Sequence, residues 1–191
     1  MSRVLVLLAC LSGTVLGEGV KYLPQGLILT WSFPSETEVS FEYHIPDSVL
    51  EEYGWAGLGF KFPDEGKGMG NSDIINIFFE EDTIQDAWAT GNSKPKEDTE
   101  LGGTDDLQRS EPFSQEGFRV YSWTRLLDTG DQYDKELIIG QEYTLLWAIG
   151  DYKEGSQKKH IRSGRGFESI VLSEDYYDDT ATTASFLSFN N

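Results

Sequence analysis

VSFEYHI, residues 39–45, alternates without a break: Val39, Phe41, Tyr43 and Ile45 lie on one side, Ser40, Glu42 and His44 on the other. Successive side chains of a strand point to opposite faces, so a period of two describes a strand with one face in a core and the other toward solvent. On that reading His44 is a surface residue and not a ligand. Working outward, similar β-type texture recurs at residues 27–33, 55–62, 74–80, 84–90, 118–126, 143–149 and 167–172, runs rich in aromatic and β-branched residues. Clusters of Gly, Pro, Asn and Asp separate them, and no long segment carries a helical period. One short helical turn is expected in PDSVLEEYG (46–54), with Asp47 as N-cap and Gly54 as stop. The expected class is all-β, a sandwich.

The first residues, MSRVLVLLACLSGTVLG, place one basic residue, Arg3, before an apolar run and then small residues, with Val15 and Gly17 positioned for cleavage. Residues 1–17 are therefore expected to be a signal peptide, and the mature protein to be secreted, extracellular or luminal. Cys10 in LLAC has the look of a lipoprotein box, but the run before it is short for one. Cys10 is the sole cysteine, so a chain cleaved after Gly17 has no disulfide and must be held by its core. No later stretch reaches the ~20 apolar residues of a membrane span. With 33 acidic and 15 basic residues the formal charge is -18, spread along the chain. Such a chain is a poor partner for nucleic acid or anionic lipid; the charge suits solubility, cations or a basic partner. Residues 18–172 read as one domain, and SEDYYDDTATTASFLSFNN (173–191) as an acidic, Thr/Ser-rich tail.

The residue inventory limits the chemistry. Two histidines and no mature cysteine cannot build the multi-ligand sites of ordinary copper and zinc enzymes. No G-x-S-x-G motif accompanies His160, and no pair among the acids is singled out for glycoside hydrolysis. The chain is not expected to be an enzyme alone. Two residues stand out instead: Met69 in GKGMGNSD (66–73), the only methionine besides Met1, and His160 in HIRSGRG (160–166). A thioether and an imidazole can clamp a haem iron from opposite faces. The same two residues also read as a gap-filling core methionine and a solvated loop histidine. Lys158, Lys159, Arg162 and Arg165 crowd His160, suiting haem propionates and disfavouring an imidazolium. KEDTELGGTDDLQ (96–108) offers Asp98, Asp105 and Asp106, hard oxygen donors suited to calcium, without EF-hand spacing; a surface charge run is the competing reading. The turn TGDQYD (129–134) is assigned no chemistry. Aromatic faces stack on sugars, but Trp31, Trp55, Trp88, Trp123 and Trp147 all fall in expected strands, where burial is the common fate.

GWAGLGF (54–60), GMGNSDI (68–74), QDAWATG (85–91), FRVYSWTRLLDTGDQYD (118–134), LLWAIGD (145–151) and HIRSGRG follow one another in order. Together these blocks resemble the DOMON family, found in dopamine β-monooxygenase-like proteins and extracellular cytochromes, over residues 27–172. The resemblance implies an Ig-like β-sandwich of about ten antiparallel strands. In cytochrome-type members a Met and a His ligate b-type haem, and Met69 and His160 match those positions. That implies haem b and a redox partner, in electron transfer or ligand sensing. In monooxygenase-type members an Asp helps hold a structural metal ion; here that is Asp73, with the Ala87 carbonyl and Asp105 or Asp106 completing a site for calcium or another ion. The resemblance leaves open a haem-free interaction module binding an extracellular protein or carbohydrate. Copper monooxygenase chemistry would need copper-binding domains beyond this sequence.

Overall fold

The computed structural model describes residues 18–66 and 68–178. The expected signal peptide and residues 179–191 of the tail lie outside them. In chain order the strands are β1 (Gly19–Tyr22), β2 (Ile28–Ser35), β3 (Glu38–Pro46), β4 (Trp55–Lys61), β5 (Ser72–Phe78), β6 (Thr83–Ala89) and β7 (Lys96–Glu97). There follow β8 (Gln108–Arg109), β9 (Phe113–Gln115), β10 (Phe118–Leu126), β11 (Glu142–Gly150), β12 (Tyr152–Lys153), β13 (Ser156–Gln157) and β14 (Arg165–Val171). Two short helices, α1 (Asp47–Glu52) and α2 (Asp98–Leu101), sit in connections.

One sheet runs β1-β2-β3-β10-β8, with β9 also paired to β10; the other runs β14-β11-β4-β5-β6-β7. The strand pairings within both are antiparallel. The alternation of residues 39–45 sets the first sheet's inner face: Val39, Phe41, Tyr43 and Ile45 are all at most 1% exposed. They meet Ala56, Leu58 and Phe60 of β4, Ile75 and Ile77 of β5 and Tyr143 and Leu145 of β11 in one core. Phe41 stacks on Trp123 and tilts against Phe60 across the two sheets. All five tryptophans are buried, as their strand positions suggested. The expected all-β sandwich is the fold observed.

Two local expectations change. Asp47 is the first residue of α1 and not its cap: Pro46 holds the N-cap position, and the Asp47 N–H is taken by the Gly117 carbonyl at 2.9 Å. Its carboxylate still sits in the first turn, where the helix dipole favours it. The chain also stays on the sandwich past Leu172. Trp31 Nε1 donates to the Ser173 carbonyl at 3.0 Å, the Val20 N–H to the Tyr176 carbonyl at 2.9 Å, and Lys21 pairs with Asp178 at 2.6 Å. Residues 173–178 are thus bonded to β1 and β2, because an edge strand leaves backbone groups that a following segment can satisfy.

Candidate functional site

The second sheet has a second face, turned away from the core. Alternation puts Gly57 and Gly59 of β4, Ile74 and Asn76 of β5, Leu146 and Ala148 of β11 and Phe167 of β14 on it, and Gly57 pairs with Asn76 on one side and Ala148 on the other. The centre of this face is therefore glycine and alanine, a floor without bulk. Above it lies a cleft of about 800 Å³, within the ~300–1,000 Å³ typical of cofactor pockets. A Cβ added at Gly57 would stand 3.4 Å from Asn76 Oδ1 and from the Trp55 ring, so the floor has room that the sequence leaves unfilled.

Met69 and His160 both line this cleft. Met69 comes from the loop between β4 and β5, half-buried against Ile74, Ala87 and Ala89. That loop is organised from beneath by Lys61, only 2% exposed, whose ammonium donates to the carbonyls of Glu65 (3.1 Å), Gly68 (2.8 Å) and Gly70 (2.8 Å). A buried ammonium is tolerable when its donors are satisfied, and here burial lowers its pKa while the loop carbonyls occupy it. Glu65 ties the loop's other side: it accepts the Phe62 N–H at 2.9 Å and the Lys135 ammonium at 2.6 Å, and bonds the Asn71 amide. The Met69 N–H donates to Asn92 Oδ1 at 3.3 Å, and the Ser72 hydroxyl to the Met69 carbonyl at 2.6 Å.

His160 comes from the loop between β13 and β14. Trp55 Nε1 anchors that loop by donating to the Lys158 carbonyl at 3.0 Å, and the Trp55 and His160 rings lie 6.5 Å apart. The His160 ring is half-buried, with Nδ1 turned away from solvent toward the backbone of His160 and Ile161. Burial, followed by the positive charges of Arg165 and Lys159, lowers the His160 pKa, so at neutral pH the ring is a neutral imidazole with a lone pair. The neutral form is the one that ligates a metal. Lys94, Lys159, Arg162 and Arg165 complete the mouth.

The other candidate ligand, Asp73, lies on the opposite side of the same sheet, one residue and one face away from Ile74. Its oxygens, with those of Asp86 and Asp134, come within 4.8 Å of one another. Arg125, 2% exposed and projecting from β10, pairs with Asp73 at 2.6 Å and reaches Asp134 at 3.3 Å. The Lys135 N–H adds a bond to Asp73 at 3.0 Å. Asp98, at the start of α2, is 1% exposed, and neither carboxylate oxygen has a partner. Burial, then its acidic neighbours, pushes Asp98 up to about 9; burial and Asp73 push Asp86 and Asp134 each to about 7. Asp73, Asp134 and Asp86 share one guanidinium and Asp98 adds a further acid beside them, so protons or a cation must balance the group.

The structure sorts the sequence candidates unevenly. It brings Met69 and His160 to one cleft. Asp105 instead pairs with Arg109 at 2.7 Å, and the Asp106 carboxylate accepts the Thr104 hydroxyl while its N–H bonds Asp86. Ala87 lies mid-ladder between Ile74 and Glu97, its side chain against Met69. Asp86 and Asp134 gather around Asp73 with Asp98 nearby; Asp98 is one of the hard donors that residues 96–108 offered, whereas Asp134 lies in a turn assigned no chemistry. A readable signal existed: Asp86 shares the inner face of β6 with Ile84 and Trp88, and Arg125 that of β10 with Tyr121 and Trp123. A charge at an inward position of a strand requires a buried partner.

The family model of the DOMON domain matches residues 25–150. Among solved structures, the crystal structure of the cytochrome b domain of pyranose dehydrogenase from Coprinopsis cinerea aligns with a TM-score of 0.52. It is 14% identical, and the alignment covers 79% of this chain and 80% of that one. At this identity the likeness is one of fold. No curated protein matches the chain.

Proposed function

The chain belongs to the DOMON family, and we propose that it is a haem b-binding electron-transfer module whose iron is held by Met69 and His160. The observation that carries this reading is their placement. The one internal methionine and a histidine whose pKa is lowered by burial line the same apolar-floored cleft, with Lys94, Lys159, Arg162 and Arg165 at its mouth. A thioether and an imidazole together occupy both axial positions of a haem, which favours electron transfer over sensing of a small ligand. The small side chains of the floor admit a flat macrocycle, Ile74, Leu146 and Phe167 supply apolar walls, and two propionates find cations at the edge. Under this reading the protein carries electrons for a redox partner rather than catalysing a reaction itself. Residues 1–17 would direct it to an extracellular or luminal space.

A specific observation favours a second bound group. Asp73, Asp86 and Asp134 bring carboxylate oxygens within 4.8 Å of one another, and the buried Asp98, whose two oxygens have no partner, lies near enough to feel their charge. These hard donors suit calcium or another structural ion on the inner side of the sheet, apart from the haem cleft.

Haem titration of the purified protein followed by tryptophan fluorescence tests the main reading, since Trp55 and Trp147 line the cleft. Saturable quenching at one haem per chain supports it. Absence of quenching leaves the haem-free module, recognising protein or carbohydrate, as the better account.

A further inference from the structure

Charge at the mouth of the cleft runs against the composition of the chain. Formal charge is -18, yet among the described residues the exposed Lys and Arg that make no ion pair are Lys94, Lys96, Lys159, Arg162 and Arg165. Four of them line the cleft, and Lys96, on β7, is two residues from Lys94. Elsewhere the cations are engaged. Lys21, Arg109, Arg119 and Lys153 each pair with carboxylates, Arg125 and Lys135 are held by Asp73 and Glu65, and Lys61 is spent on loop carbonyls. Lys158, also at the cleft, has only a 3.8 Å approach to Glu154, whose side chain is 92% exposed, a pair of the kind worth little. Ile161 (46% exposed) and Phe167 (43%) add apolar surface among these charges.

We propose that this rim is a docking surface for a partner protein that presents a cluster of carboxylates. The occupant follows from charge complementarity. A haem brings two propionates, fewer than the unpaired cations at the mouth, so positive charge remains after the cofactor is bound. The proposal rests on the haem reading only for that subtraction. In a protein otherwise acidic, one basic face gives the molecule a strong dipole, which orients an acidic partner toward the cleft before contact. Ile161, exposed beside these charges and outside the cleft lining, then offers the apolar contact that long-range attraction alone does not supply.

The test uses a fluorescein-labelled peptide of ten glutamates and fluorescence anisotropy, with haem-free and haem-loaded protein. Binding is expected at low salt despite like net charges, weakening by about tenfold or more between 20 and 200 mM NaCl. Lys159→Glu/Arg162→Glu should abolish it. Lys153→Glu/Arg119→Glu makes the same change in net charge at two ion-paired residues that do not line the cleft, Arg119 bordering a separate depression, and should leave binding within about twofold. No binding at low salt, equal loss in both double variants, or loss of binding on haem loading would each overturn the proposal. A concentration-dependent dimer that disappears in Lys159→Glu/Arg162→Glu would overturn it in favour of a second copy of this chain. Protein that takes up no haem but binds the peptide as described would refute the cytochrome reading and support the docking surface.

Discussion

Lys61→Met keeps the length of a buried stem and deletes the ammonium beneath the loop that carries Met69. Three bonds, to the carbonyls of Glu65, Gly68 and Gly70, are lost at once. Hydrogen bonds to a charged group contribute about 1.5–3 kcal/mol each, but removing the cation also removes its desolvation cost, and the Gly68 carbonyl lies on an exposed residue that water can reach. The net loss is expected at about 2–4 kcal/mol. Because methionine fills nearly the same volume, a cavity contributes little to it. Urea unfolding at pH 7 of the haem-free protein measures the loss, and amide hydrogen exchange shows where it falls, with the bonded amides of Met69 and Asn71 losing protection while β3 and β10 keep theirs. In haem-loaded protein the same variant should shift the reduction potential, because Met69 is no longer held in one position. A loss below about 0.5 kcal/mol together with unchanged exchange in the loop would show that Lys61 does not position it.

Other consequences are equally open to measurement. Asp86, Asp98 and Asp134 are raised in the folded protein, to about 7, about 9 and about 7, so the native state holds protons that the unfolded chain has released. Stability in chelator should therefore fall as pH climbs from about 4 toward 9, by at most about 1.4 kcal/mol per unit for each group, and calcium should restore it above pH 7. Thermal melts across pH, with and without calcium, check this; Asp98→Asn should flatten the upper part of the profile. Gly57→Val suits a strand and meets no close contact at Cβ, so it should leave stability within about 1 kcal/mol while weakening haem binding tenfold or more; haem affinity unchanged would mean the floor is not the cofactor's seat. Deleting the residues after Leu172 removes the bonds of Ser173, Tyr176 and Asp178 to the first strands and should cost about 1–3 kcal/mol in urea unfolding.

Much of the architecture was legible because it depends on a short-range pattern. The alternation of residues 39–45 gave β3 to within a residue at each end, and the aromatic runs gave the other long strands. What local pattern did not reveal are pairings of short segments. β7, β8, β12 and β13 are two residues each, too short for periodicity to register, and β1 is recruited by its register against β2 and by the returning segment 173–178. The site divided in the same way. Met69 and His160 were visible because their residue types are scarce. Lys61 looked like any strand-end lysine, and its role depends on three carbonyls of a loop whose path the sequence does not state. Asp86 and Asp134 were lost among many acids; what distinguishes them is burial, which follows from the facing of β6 and β10 and from the turn that folds Asp134 back onto Arg125.

The absorption spectrum of haem-loaded protein, oxidised and dithionite-reduced, tests the central claim most directly when wild type is compared with Met69→Ala and His160→Ala. Ligation by Met69 and His160 predicts a sharp Soret band with resolved α and β bands on reduction in the wild type, replaced in each variant by the spectrum of iron that has lost one axial ligand. A wild type without a Soret band, or variants whose spectra match it, would contradict the account.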